Sequence, residues 1–176
     1  MGVVNFYHLT RHGMDEVIDM LVPRALSQGW RVMIRSPDRG ALERQDQRLW
    51  LYPEEGFLPH GLEGGAHDAE QPVLLGAGAA VNGAQAVLLM GPQEVQPAEV
   101  QALERIWLAF DGRDEGQVQA ARMQWKAVTA AGLAAQYWND ESGRWEKKAA
   151  SAGKAYKGAA PAQVLHLAAR TARGPG

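Results

Sequence analysis

The sequence contains no cysteine. Disulfides, thiolate metal sites and cysteine nucleophiles are thereby excluded. The absence suits a reducing compartment, and the expected location is cytoplasmic. No apolar run approaches the roughly 18 residues that a membrane span needs, so no membrane contact is expected. The start, Met-Gly-Val-Val-Asn, lacks a basic segment followed by a long apolar one, so no signal peptide is expected. Several catalytic signatures are missing as well. There is no G-x-x-x-x-G-K-[ST] and no His-Glu-x-x-His. His8 and His12 lie four apart, but they straddle the end of a predicted strand rather than one helix face. His60, His67 and His166 are scattered. None of Ser27, Ser36, Ser142 and Ser151 stands in a nucleophile elbow. Glu54 and Glu55 read as a loop charge pair. No catalytic residue, metal ligand or cofactor is expected.

Positive charge is scarce through most of the chain. The net charge is -2, yet from Arg144 onward there are seven Lys/Arg against one Glu. The first 143 residues keep 11 basic and 19 acidic side chains. An acidic body does not wrap nucleic acid by bulk charge. Any basic site in it must be local.

The 176 residues, 46% of them hydrophobic, suffice for one domain with a sizeable core. Residues 3–9 and 31–35 read as strands. Apolar residues at Val17, Ile18, Leu21, Ala25 and Leu26 follow a helical spacing over 14–27, and Pro23 inside it predicts a kink or a late start. Residues 39–50 form a charged helix with Leu42 and Leu49 seven apart, stopped by Tyr52-Pro53. Residues 53–71 read as a long loop. Residues 73–75 and 85–90 are further strands with Asn82-Gly83 as a turn signal between them, and 105–110 is a fifth. Residues 114–131 make a late helix ended by Gly132. Residues 135–139 are expected to add a last edge strand. This alternation predicts an α/β domain over 1–148, with a central, mostly parallel sheet. Residues 149–176, rich in Ala, Gly and Lys, are expected to be a mobile basic tail, although Val164, Leu165, Leu167 and Ala168 allow a short helix.

Gly76-Ala-Gly78, in a stretch that runs to Gly83, invites a nucleotide-binding reading. It lacks the third glycine of G-x-G-x-x-G, and the next element is not a helix. A plain loop is the blander reading of 76–83, and a nucleotide-binding protein or α/β enzyme is the alternative function.

On the late helix, Ala120, Met123, Ala127 and Ala130 share a face that is expected to pack on the sheet. Arg122, Trp125, Lys126 and Thr129 follow the i, i+3, i+4, i+7 spacing on another face. An aromatic ring beside two cations suits a short acidic peptide with an apolar residue. The blander reading buries Trp125 and leaves the charges solvated. In the middle of the chain, Trp50, Tyr52, Phe57 and Leu58 surround Pro53 and Pro59. They either cover the core or form a surface.

Three stretches together decide between these readings. They are Asn5-Phe-Tyr-His-Leu9, the run from Arg48 to His60 and the run from Ala121 to Gly132. In order and spacing, over residues 5–145, the chain resembles the chi subunit of bacterial DNA polymerase III. That family is non-catalytic, and the resemblance makes the chain a part of the holoenzyme and not an enzyme by itself. It implies a three-layer fold with helices on both faces of the sheet. It also implies a replisome adaptor that links the clamp loader to single-stranded-DNA-binding protein, so that contact with DNA is indirect. In the family, Arg-x-x-aromatic-Lys on the late helix forms the pocket for the acidic C-terminal tail of single-stranded-DNA-binding protein. Those positions are Arg122, Trp125 and Lys126, with Thr129 beside them and Trp standing where Tyr is usual. The equivalents of Trp50 and Phe57, with Leu58, belong to the surface that takes the psi subunit of the clamp loader or a helicase-like protein. Family members usually end near Trp145, and the 149–176 extension departs from them.

Overall fold

The computed structural model describes residues 2–51 and 57–153. Eight strands form one sheet: β1 (Val3–Leu9), β2 (Val32–Arg35), β3 (His60–Leu62), β4 (Val73–Gly76), β5 (Ala86–Met90), β6 (Arg105–Asp111), β7 (Ala134–Asn139) and β8 (Glu146–Ala152). Their order is β3-β4-β2-β5-β6-β1-β7-β8. All neighbours pair in parallel except β8, which runs antiparallel to β7. The helices are α1 (Met14–Ser27), α2 (Arg39–Leu51), α3 (Pro97–Ala102) and α4 (Glu115–Ala130).

Successive strand residues point to opposite faces, so the buried sheet carries two cores. Tyr7, Leu9, Val32, Ile34, Leu88 and Trp107 meet Val17, Ile18, Leu21 and Val22 of α1 and Leu42 and Leu49 of α2. Val4, Phe6, Met33, Leu89, Leu108 and Phe110 point the other way, to Val100 of α3 and to Val118, Ala121, Trp125 and Val128 of α4. Helices therefore cover both faces, as the three-layer reading requires. α2 and α4 lie on opposite sides of the sheet.

Several details differ from the sequence reading. Residues 53–71 hold β3 and a short 3-10 turn at Asp68–Glu70. Three residues give too little periodicity to read as a strand. β7 is an inner strand, because β8 adds beyond it. β8, Glu-Lys-Lys-Ala-Ala-Ser-Ala, has no large apolar residue to signal a strand. β8 also carries the sheet four residues past 148, and the remainder of 149–176 from residue 154 lies outside the described residues. Finally, Asn82-Gly83 does not close a hairpin, since β4 and β5 flank β2 on either side. α1 runs unbroken through Pro23.

Candidate functional site

α4 is fixed at both ends by its own sequence. The Asp114 carboxylate accepts a hydrogen bond from the Gln117 amide at 3.1 Å, an N-cap. At the other end Gly132 has φ +72°, the left-handed conformation that glycine adopts freely. Its amide donates to the Thr129 carbonyl, and that of Leu133 donates to Val128.

The rotation of α4 about its axis corrects the sequence reading. Val118, Ala121, Trp125 and Val128 face the sheet, and Trp125 is only 4% exposed. Its ring meets Phe6 edge-on at 5.3 Å and Tyr137 at 6.2 Å. The expected core stripe is turned outward: Ala127 and Ala130 are exposed, and Met123 is 70% exposed. Two valines and a tryptophan bury far more apolar surface than three alanines and a methionine, and that difference sets the rotation. Counting volume rather than apolar positions would have found it.

Trp125 is therefore no open ring platform. Arg122 and Lys126 remain neighbours at i, i+4, the first half-buried and the second exposed. The Arg122 Nε is buried with no hydrogen-bond partner among the described residues. The Thr129 hydroxyl donates to the Trp125 carbonyl at 2.8 Å, so it is committed to its own helix.

Beneath Arg122 lie His8 and Tyr137, whose ring nitrogen Nδ1 and hydroxyl are hydrogen-bonded. Gly112 packs so closely on His8 that a Cβ there would fall 2.1 Å from Nε2. Burial pushes the His8 imidazole down to about 4; the Arg122 charge acts in the same direction and Asp140 opposes it. Burial also pushes the Tyr137 hydroxyl up. His8 and Tyr137 are therefore neutral at pH 7 and add no charge beneath the cations. At the edge of this face the buried Asp140 carboxylate accepts from the amides of Thr10, Arg11 and His12, the Thr10 hydroxyl and the His12 ring, at 2.5–3.0 Å. Burial alone would raise this carboxyl, but the hydrogen bonds hold it at about 2. Asp140 had no motif to announce it.

The second candidate surface lies across the sheet. α2 buries Leu42, Gln45 and Leu49 and is tied to α1 by Arg48, which pairs with Asp19 at 2.9 Å and Asp15 at 3.3 Å. The next residues, Trp50 and Leu51, are 58% and 78% exposed. Phe57 is 72% exposed, and its ring centroid lies 5.8 Å from that of Trp50. Trp50 and Phe57 thus meet in one exposed patch. Leu58 differs: it is half-buried against the α1–α2 core. Tyr52, Pro53, Glu54 and Glu55 lie outside the described residues. The sequence reading assigned neither Leu51 nor His60 to this surface; His60 is buried, and its ring lies 4.7 Å from that of Trp50.

The 76–83 loop is occupied by the chain itself. The Glu63 carboxylate accepts from the amides of Ala77 and Gly78 at 2.8 and 3.2 Å. A Cβ on Gly76 would lie 2.1 Å from that carboxylate. The amides a phosphate would use already hold an anion, and Gly76 makes room for it. Among the described residues no group of three or more His, Asp or Glu is placed to hold a metal, and no helix is long and apolar enough to cross a membrane.

A family model described as DNA polymerase III chi subunit, HolC, matches residues 1–136, which include both candidate surfaces. The DNA polymerase III subunit chi of Pseudomonas aeruginosa is 38% identical over 63 residues. That match covers 36% of this chain, and the chain spans 43% of the length of this curated relative.

Proposed function

The chain belongs to the DNA polymerase III chi subunit family, and from that premise we propose that it is a non-catalytic accessory subunit of the polymerase, an adaptor with two partner surfaces. The α4 face takes the acidic C-terminal tail of single-stranded-DNA-binding protein. The Trp50–Phe57 patch takes a clamp-loader partner, the psi subunit, or a helicase-like protein in its place. DNA is reached only through these partners, in the cytoplasm.

One observation carries this reading. A cationic pair and an exposed aromatic patch stand on helices that cover opposite faces of one sheet. Two proteins can then be held at once without competing for space. On α4, Arg122 meets a carboxylate through two parallel donors, and Lys126 adds a point charge one turn on. Trp125 serves from beneath, as the wedge that fixes the rotation of the helix. Met123, between the two cations in sequence, is the large exposed apolar side chain of this helix, and it receives the tail's apolar residue. On α2, covering a large aromatic contributes about 1.5–3 kcal/mol.

The test is calorimetric titration of the full chain with an acidic peptide ending in Phe, alone and after saturation with recombinant psi subunit. Peptide affinity that psi leaves unchanged supports the adaptor. No peptide binding, together with ATP binding, would overturn it in favour of a nucleotide-binding protein.

A further inference from the structure

Phe57 and the two residues after it belong to no strand or helix, and Trp50 is in the last turn of α2. Regular backbone pairing therefore does not bring the two rings together. His60 lies beside the Trp50 ring. Its side chain is 0% exposed, and both ring nitrogens face oxygen acceptors. Nδ1 is 2.6 Å from the Leu58 carbonyl, next to Phe57. Nε2 is 3.1 Å from the Asp46 carbonyl of α2 and 3.3 Å from its carboxylate Oδ1. The Trp50 ring rests on the imidazole at 4.7 Å. As the first residue of β3, His60 is itself anchored to the sheet opposite Val73.

A single buried side chain thus faces a carbonyl of the segment carrying Phe57 and a carbonyl of the helix carrying Trp50, donating to one of them when neutral and to both when protonated, and it touches the Trp50 ring. We infer that His60 is a positioning residue for the aromatic partner surface: it holds Trp50 and Phe57 together before a partner arrives. Preorganisation of this kind raises affinity by removing the cost of ordering the surface on binding. The role rests on the reading of the Trp50–Phe57 patch as a partner surface, but its first readout needs no partner.

The full chain is labelled with 5-fluorotryptophan, and the Trp50 resonance is assigned by its loss in Trp50→Phe. In His60→Ala that resonance should move toward the position of a freely solvated indole while those of the buried tryptophans stay in place. Affinity for recombinant psi subunit should fall about tenfold, the scale of one or two net hydrogen bonds. His60→Asn keeps a donor near the Nδ1 position for the Leu58 carbonyl and should recover most of that affinity. His60→Gln, whose amide reaches toward Asp46 instead, should recover less. If His60→Ala does not fold, the order of Asn above Gln decides. An unmoved Trp50 resonance in His60→Ala, or equal psi affinity in the Asn and Gln variants, overturns the role. Wild-type psi affinity in Trp50→Ala overturns the partner-surface reading, and the role with it.

Discussion

Trp50 and Trp125 both stand in the second half of a helix that packs on the sheet, yet one is 58% exposed and the other 4%. The difference is one of phase. α2 buries Leu42, Gln45 and Leu49, and Trp50 lies one residue, about 100°, beyond that stripe. α4 buries Val118, Ala121 and Val128, and Trp125 falls on the stripe itself. Each surface has the opposite composition as a result. The α2 side presents rings with a buried histidine below. The α4 side presents cations with buried rings below. A tryptophan in a helix is thus a core residue or a contact residue according to its phase, and its type alone does not say which.

The comparison is most easily broken by truncating each ring. Trp125→Ala should cost about 3–5 kcal/mol of stability, the scale of an emptied aromatic site in a core. Trp50→Ala should stay within about 0.5 kcal/mol, as surface changes do. Urea unfolding of both variants checks this, and equal losses would erase the distinction.

Next in size is reversal of the α4 cations. The Arg122→Glu, Lys126→Glu double variant should lose several kcal/mol of affinity for the acidic tail peptide, because like charges then face each other. Wild-type binding should weaken as salt rises. Of the two single changes, Arg122→Glu should also lower the melting temperature, since its stem is half-buried, while Lys126→Glu should not. Unchanged peptide affinity in the folded double variant would remove the α4 site.

A pH titration sharpens the contrast between the two sides. His8 titrates at about 4 in the folded chain and at about 6.5 when unfolded. Between those values the unfolded chain binds more protons, so stability is full above about pH 6.5 and falls as pH drops toward 4. The loss is of order 2–3 kcal/mol. Asp140, held at about 2, adds a second decline between roughly pH 4 and 2. Chemical unfolding across pH 4–7 should show the first decline, and His8→Gln should flatten it. A decline of equal depth in the variant would mean that His8 is not its source.

The smallest expected effect is on partner selectivity. Trp50→Ala should cost about 1.5–3 kcal/mol in psi affinity and leave peptide binding at α4 unchanged. Parallel titrations of one preparation with both ligands settle whether the surfaces are independent.

The amino-acid sequence by itself determined the local elements. β1 and α1 run over the residues their patterns predicted, and α4 starts at its Asp114 cap and stops at Gly132, because caps and periodicity act within a few residues. The alternation of elements determined a parallel sheet with helices on both faces, and the motifs around Trp50 and Arg122 were enough to indicate the family. Tertiary structure alone decided the rest. Periodicity defines the faces of α4 but not which one meets the sheet; that depended on the fit of Trp125 against Phe6 and Tyr137, which the pairing of β1 with β7 sets side by side. β7 became an inner strand only because β8 found its edge. The Asp140 clasp joins groups about 130 residues apart, and the His60 ring faces one carbonyl oxygen of α2 and one of the Phe57 segment. Such contacts leave no periodic trace, since each depends on where the folded backbone carries a single side chain.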